Sequence, residues 1–340
     1  MLSRAAPGTV SRSRDLVEPA LRAAVDRLTP RVRLAAGYHR GWWEADGRPR
    51  TGGAGKALRP TLAVLSAQAA GGPLEQALPA AVAVELVHDF SLLHDDVMDG
   101  DTERRHRPTT WAVFGVPLAL LTGDALLPLA IQVIAESGAP GRAEAQAALL
   151  AAAHQLIRGQ VDDIDLEGRL DAELADVLRM EADKTSALLA CAASIGARAL
   201  AAPAELSDGL HRFGYQLGLA FQLVDDVLGI WGEPDVTGKP VLADLRAGKR
   251  SAPVVAALRS GTPAADELAE LLAGGTPVEE ESVVRAAQLV ERAGGRDWCV
   301  AAADEHLAAA LAALEGAPGL ADGAREDFVA LARYVVDRDH

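Results

Sequence analysis

Residues 94–99 read His94-Asp95-Asp96-Val97-Met98-Asp99 at the end of an apolar run. In a helix, residues i and i+4 stack on one face, so Asp95 and Asp99 project side by side. Two carboxylates held that close repel each other unless a cation lies between them. Mg2+ suits the pair, because it takes oxygen ligands, keeps several waters and binds one or two carboxylates together with substrate phosphates. Taken alone, the same spacing also fits a solvated helix end. A second group, Phe221-Gln222-Leu223-Val224-Asp225-Asp226-Val227-Leu228-Gly229, also closes an apolar run. Gly229 stands four after Asp225, so this group offers a metal fewer oxygens. A third acidic group, Gly159 to Asp165, lies mid-helix, and a supporting or structural role is expected there with Asp163 as the contributor.

Cations accompany the acids. Arg104 and Arg105 are adjacent, hence on different faces, and can grip two different anions. Gly55-Lys56-Ala57-Leu58-Arg59-Pro60 sets Lys56 and Arg59 three apart behind a glycine, a plausible diphosphate clamp. The chain has four lysines against twenty-nine arginines and no asparagine. A composition that prefers arginine so strongly keeps lysine where a compact ammonium is needed, unless the four survive by chance. All four fall in polar motifs: Lys56, Lys184 before Thr185, Lys239 in Thr237-Gly238-Lys239-Pro240, and Lys249 beside Arg250.

The elements that must position these groups are helical. Ala, Leu, Glu and Arg dominate while aromatics are only 4% of the 340 residues, so local propensity favours helix almost throughout. Apolar spacing of three and four predicts helices over 60–70, 79–94, 116–135, 143–166, 172–200, 205–231, 251–259, 264–273, 279–293, 297–314 and 321–336. Gly- and Pro-rich breakers separate them. Thr276-Pro277-Val278-Glu279 reads as a capping box with proline at the first helical position. The expectation is an all-α fold, one bundle of about ten or more helices over 15–340, with residues 1–14 as a disordered tail. Several helices are apolar on more than one face, which suits burial in a bundle or a face lent to a partner subunit.

The formal net charge of −15, without a Lys/Arg-rich block, argues against nucleic acid or an anionic membrane surface as partner. Cys191 and Cys299 lack metal-ligand spacing and read as buried reduced thiols, which fits a cytoplasmic protein. No uninterrupted apolar run reaches the roughly 18 residues of a membrane span, and the N-terminal residues carry no apolar signal segment.

Taken in order, the motifs resemble the trans-isoprenyl diphosphate synthases (the polyprenyl synthetase family) over residues 50–260. Gly55 to Pro60 meets the G-K-x-x-R-P pattern, and Asp95 to Thr109 meets the first aspartate-rich motif with its trailing arginine pair. Lys184-Thr185, Phe221 to Asp226 and Thr237 to Pro240 follow in sequence. Two departures stand out: His106 replaces the usual glycine, and Gly229 replaces the last aspartate of the second motif. The resemblance implies an isoprenoid synthase fold around a deep cavity, usually as a homodimer. It implies short-chain prenyl transfer from an allylic diphosphate to isopentenyl diphosphate with three Mg2+ ions.

By the same resemblance Asp95 and Asp99 bind two ions and Asp225 the third, supported by Asp96 and Asp226. Arg104, Lys184, Lys239 and Lys249 contact the allylic diphosphate, while Lys56, Arg59, His88 and Arg105 hold isopentenyl diphosphate. Thr185 and Gln222 resemble the residues whose oxygens face the carbocation. Phe90, five before Asp95, and the small Ser91 suggest a geranylgeranyl product rather than farnesyl. A terpene cyclase shares the first motif but has no use for Lys56, Arg59 and Arg105. A non-catalytic partner subunit would have no need to keep both acidic groups.

Overall fold

The structure, a computed structural model, describes residues 8–50, 57–232, 241–276, 279–320 and 322–336. Helices dominate it: α1 (Gly8–Val25), α2 (Pro30–His39), α3 (Leu58–Ala69) and α4 (Leu74–Met98) come first. A two-stranded hairpin, β1 (Glu103–Arg104) and β2 (Arg107–Pro108), leads into α5 (Thr110–Phe114), α6 (Val116–Ala135) and α7 (Arg142–Leu166). α8 (Leu174–Glu181) runs through a π-turn at Ala182–Ser186 into α9 (Ala187–Ala199), followed by α10 (Ala204–Trp231). The rest comprises α11 (Ala243–Arg246), α12 (Ala252–Leu258), α13 (Pro263–Ala273), α14 (Glu280–Arg292), α15 (Gly295–Glu315) and α16 (Asp322–Val336).

The described chain sorts into two compact units. The first holds Met1–Ala153, Leu188–Gly214 and Ala313–Leu331; the second holds His154–Ala187, Tyr215–Ala312 and Ala332–His340. Residues 8–14, assigned by composition to a tail, are helical: Val10, Val17 and Leu21 repeat on one face of α1 and are buried. The helix forms because that stripe has a core to cover.

In the first unit α4 is the central helix. It is apolar on nearly every side and packs against both α3 and α6. By length and composition α4 and α6 could each cross a membrane, although Glu85 and Asp89 interrupt the apolar run of the first and Asp124 that of the second. The apolar stretch of α4 is 72% buried and that of α6 only 39%. α4 is therefore a core helix, while α6 leaves Val116 and Leu121 exposed.

The second unit closes on Ile230, Val254, Leu268, Val283 and Val290, drawn from α10 and α12–α14. Thr262 caps α13 by accepting from the Ala265 N–H at 3.3 Å, with Pro263 at the first helical position. The capping box expected at Thr276 does not form: α14 starts at Glu280 behind Glu279, which leaves Thr276 outside the helix, and Pro277 and Val278 lie outside the described residues. Both cysteines are buried free thiols, and burial pushes Cys191 up to about 12.

Candidate active site

α4 carries the first acidic group on its last turn. Asp99 is the C-cap, and its N–H donates to the Asp95 carbonyl at 2.8 Å, so both carboxylates leave the same end of the helix. Both are half-buried, whereas Asp96 on the inner face is buried and accepts from Arg104 Nε at 2.6 Å. That charge-assisted bond anchors the hairpin that presents the arginine pair.

Between the strands, Arg105 and His106 have φ of 53° and 59°. A two-residue hairpin loop of this kind needs left-handed backbone at both positions. A side chain there costs roughly 1–2 kcal/mol, which accounts for the glycine usual at position 106. His106→Gly is therefore expected to raise stability by about 1 kcal/mol. Urea unfolding at pH 7 reads this directly; an unchanged midpoint would mean that imidazole contacts offset the strain.

Of the four residues expected to hold isopentenyl diphosphate, Arg59 and His88 meet directly. Arg59 Nη1 lies 3.3 Å from His88 Nε2. Burial, then the guanidiniums of Arg59 and Arg105, push His88 well below the usual imidazole range, so a neutral ring accepts from Arg59. Lys56 lies outside the described residues, as does Lys239.

Beneath His88 is a network that motif reading missed. Arg40, 7% exposed, donates to Glu85 at 2.6 Å and to Asp89 at 3.2 Å, with Glu18 at 3.6 Å. Asp89 is pushed up to about 6 by burial, against the pull of Arg40. Breaking such a buried ion group by removing one member typically costs about 3–5 kcal/mol. Its trace in the sequence is Glu85 and Asp89, two acids four apart on an otherwise apolar helix.

Phe90 is 7% exposed and meets the His94 ring edge-on, centroids 4.8 Å apart. His94 Nε2 in turn lies 3.1 Å from the Leu120 carbonyl on α6, which holds both rings against that helix. Ser91 donates to the His88 carbonyl at 2.9 Å and keeps its small profile.

The second unit brings Asp163, Lys184-Thr185 and Gln222 together at the π-turn, where one continuous helix over 172–200 was expected. Gly159 of α7 packs against its backbone: a Cβ there would come within 2.2 Å of the Lys184 nitrogen. π-turns recur at functional sites because the widened turn re-aims side chains. Here Lys184 Nζ pairs with Asp163 at 2.5 Å, and Arg158 holds Asp183 through two bonds of 2.6 Å. The support given by Asp163 thus goes to the lysine.

From Thr185 a chain of hydrogen bonds runs inward. The Thr185 hydroxyl donates to Gln222 Oε1 at 2.7 Å, Gln222 Nε2 donates to Asp226 at 2.8 Å, and Asp226 also accepts from the Ala252 N–H at 2.9 Å. Burial, and then Asp244, push Asp226 up to about 6. Glu181, fully buried beside Asp226, is pushed well above the carboxylate range by burial first and Asp226 second. Asp225, next to this pair on α10, is half-buried.

Asp244 was overlooked, and Gly229 explains its place. A Cβ on Gly229 would lie 2.0 Å from Asp244 Oδ2, so the departure from the usual aspartate makes room for the carboxylate of α11. The Lys249 N–H donates to the Asp244 carbonyl at 3.0 Å, tying that lysine's segment to the same turn. A glycine where an acid is expected was the available signal.

Among the described residues no three His, Cys, Asp or Glu side chains converge as a metal cage. The paired, oxygen-only donors instead fit a hard cation that completes its shell with water and phosphate oxygens. The all-helical fold, with paired carboxylates at the end of α4 and an arginine pair on the hairpin that follows, suits a metal-chelated diphosphate. Residues 50–290 match the Polyprenyl synthetase family model, and the chain belongs to that family. It is 42% identical over 327 residues to the (2E,6E)-farnesyl diphosphate synthase of Mycobacterium tuberculosis H37Rv, covering 95% of this chain and 91% of the relative. It is 43% identical over 334 residues to the geranylgeranyl diphosphate synthase of the same strain, covering 97% and 93%. The crystal structure of a polyprenyl synthetase from Streptomyces coelicolor A3(2) superposes with a TM-score of 0.92 at 48% identity, covering 98% of this chain and 100% of that one.

Proposed function

We propose that the chain condenses an allylic diphosphate with isopentenyl diphosphate and releases diphosphate, with geranylgeranyl diphosphate as main product and farnesyl diphosphate as the second reading. The observation that carries this is Arg59 on a neutral His88, on the helix that ends in Asp95 and Asp99. A cyclase has an allylic substrate alone and no second diphosphate to clamp. The resemblance to synthases of both chain lengths supports the class and leaves the product to Phe90.

Asp95, Asp99 and Asp225 would hold Mg2+, three ions by family expectation, with Asp96 and Asp226 behind them. When bound, the metal supplies positive charge to the departing diphosphate. Arg104, Lys184, Lys239 and Lys249 add fixed cations around the same group, where preorganised charge stabilises what develops in the transition state. Arg59, Lys56, His88 and Arg105 orient isopentenyl diphosphate so that its double bond meets the allylic carbon. Thr185 and Gln222, locked to each other and to Asp226, turn oxygen lone pairs toward the carbocation. No side-chain base is assigned to the final proton, which leaves with the diphosphate. Radiolabelled isopentenyl diphosphate with each allylic primer, with Mg2+ and with chelator, tests the reading. Hydrocarbon from an allylic diphosphate alone would overturn it.

Phe90 is proposed as the floor for the growing chain. Phe90→Ala is expected to shift product toward longer prenyl diphosphates, read by mass spectrometry. An unchanged distribution would assign the ring to core packing alone.

The exposed Val116 and Leu121 of α6 support a homodimer, since an apolar helix face of this kind suits a second copy. Two buried free thiols accord with a cytoplasmic location.

A further inference from the structure

A cavity of about 60 Å³ opens in the first unit where the end of α2, the segment before residue 51 and the hairpin meet. Guanidiniums of Arg50, Arg104, Arg105 and Arg107 line it, together with His39 and Thr110. Asp96 is the one carboxylate in its wall, and it is already bonded to Arg104. Arg107 is committed to the chain, donating to the Tyr38 and Trp43 carbonyls at 3.1 and 3.3 Å. The lining carries a clear excess of positive charge.

Two of its side chains are buried and lack a hydrogen-bond partner among the described residues: His39 at Nε2 and Thr110 at Oγ1. The His39 side chain is 4% exposed and Thr110 is 2% exposed. Nε2 approaches Asp89 no nearer than 3.7 Å. Burial, then Arg105, Arg104 and Arg40, hold this imidazole well below its usual range, so it is neutral and can donate from one nitrogen. A buried hydroxyl or ring N–H without a partner costs free energy unless something else accepts from it. Size, charge and donors together describe a seat for a single phosphoryl group.

We propose that this cavity binds one phosphoryl oxyanion, with Arg50, His39 and Thr110 as ligands beside Arg105. The oxyanion comes either from the terminal phosphate of isopentenyl diphosphate or from free inorganic phosphate. The first source rests on the function proposed above; the second does not. Arg105 then serves two purposes, since it closes the cavity and belongs to the isopentenyl clamp. Arg50, which also lies 3.5 Å from Glu44, contributes charge from a segment that motif reading does not touch.

Thr110→Val keeps the shape and removes only the hydroxyl. Calorimetric titration of the full-length wild type and variant with isopentenyl diphosphate, and separately with inorganic phosphate, reads the effect. Loss of one hydrogen bond to a charged group weakens binding by about tenfold or more. A tenfold weaker isopentenyl diphosphate complex, recovered in Thr110→Ser, identifies the substrate as the source. Weakening of phosphate alone identifies the free anion. Unchanged affinities for both, with a higher melting temperature for Thr110→Val, overturn the proposal, because the hydroxyl was then merely an unpaired buried group. His39→Gln, titrated the same way, guards against a folding defect at position 110. Phosphate binding by a protein that makes no prenyl product would sink the functional reading and leave this site standing.

Discussion

Asp95→Asn is expected to lower kcat for prenyl transfer by about 10³-fold while the protein melts at the same temperature or slightly higher. The carboxamide keeps the shape of the side chain but loses the charge that binds a divalent cation. Removing a single preorganised stabiliser of developing charge costs about 10²–10³ in rate, and loss of a metal ligand lies at the upper end or beyond. Stability moves the other way because Asp95 and Asp99 repel each other at the end of α4, where the helix dipole is also negative. The pairing of collapsed turnover with undiminished stability separates a ligand from a structural residue. Initial rates over a Mg2+ titration, beside a thermal melt, make the measurement. Wild-type turnover at saturating metal would remove Asp95 from the chemistry. Asp225→Asn is expected to lower kcat as well, on its proposed role as a metal ligand.

Gly159→Ala is expected to destabilise the protein by about 1–3 kcal/mol and to lower kcat as well. The new methyl would sit 2.2 Å from the Lys184 nitrogen and 2.7 Å from its Cα, both backbone atoms that cannot swing aside. Relief requires α7 to part from the π-turn, and that turn aims Lys184 toward Asp163 and Thr185 toward Gln222. Positioning errors of an ångström in such groups are costly in rate. Chemical unfolding and steady-state kinetics, run on one preparation, test both parts. A variant with native stability and native kcat would show that the close approach is dispensable.

Much of the molecule was legible from residue order. α6 runs over Val116–Ala135 as the apolar spacing predicted, and α10 over Ala204–Trp231 begins one residue before the predicted start. Helical periodicity is local, so it survives without knowledge of packing. The acidic groups, the arginine pair and Lys184-Thr185 were legible for a related reason: each is a short motif whose chemistry lies in its own spacing. Their family membership followed from their order alone.

Packing decided the rest. The π-turn at Ala182–Ser186 arises where Gly159 admits α7 against the chain, and nothing within 172–200 announces it. Asp244 approaches Gly229 from fifteen positions along the chain. Arg40 finds Glu85 and Asp89 forty-five and forty-nine residues away, and Arg50, His39 and Thr110 meet around one cavity from three separate segments. Residue order sets which faces are greasy and which side chains can do chemistry, because those are properties of a few neighbouring positions. Which distant groups share a charge, a proton or a space depends on how the faces close on one another, and only the folded chain holds that information.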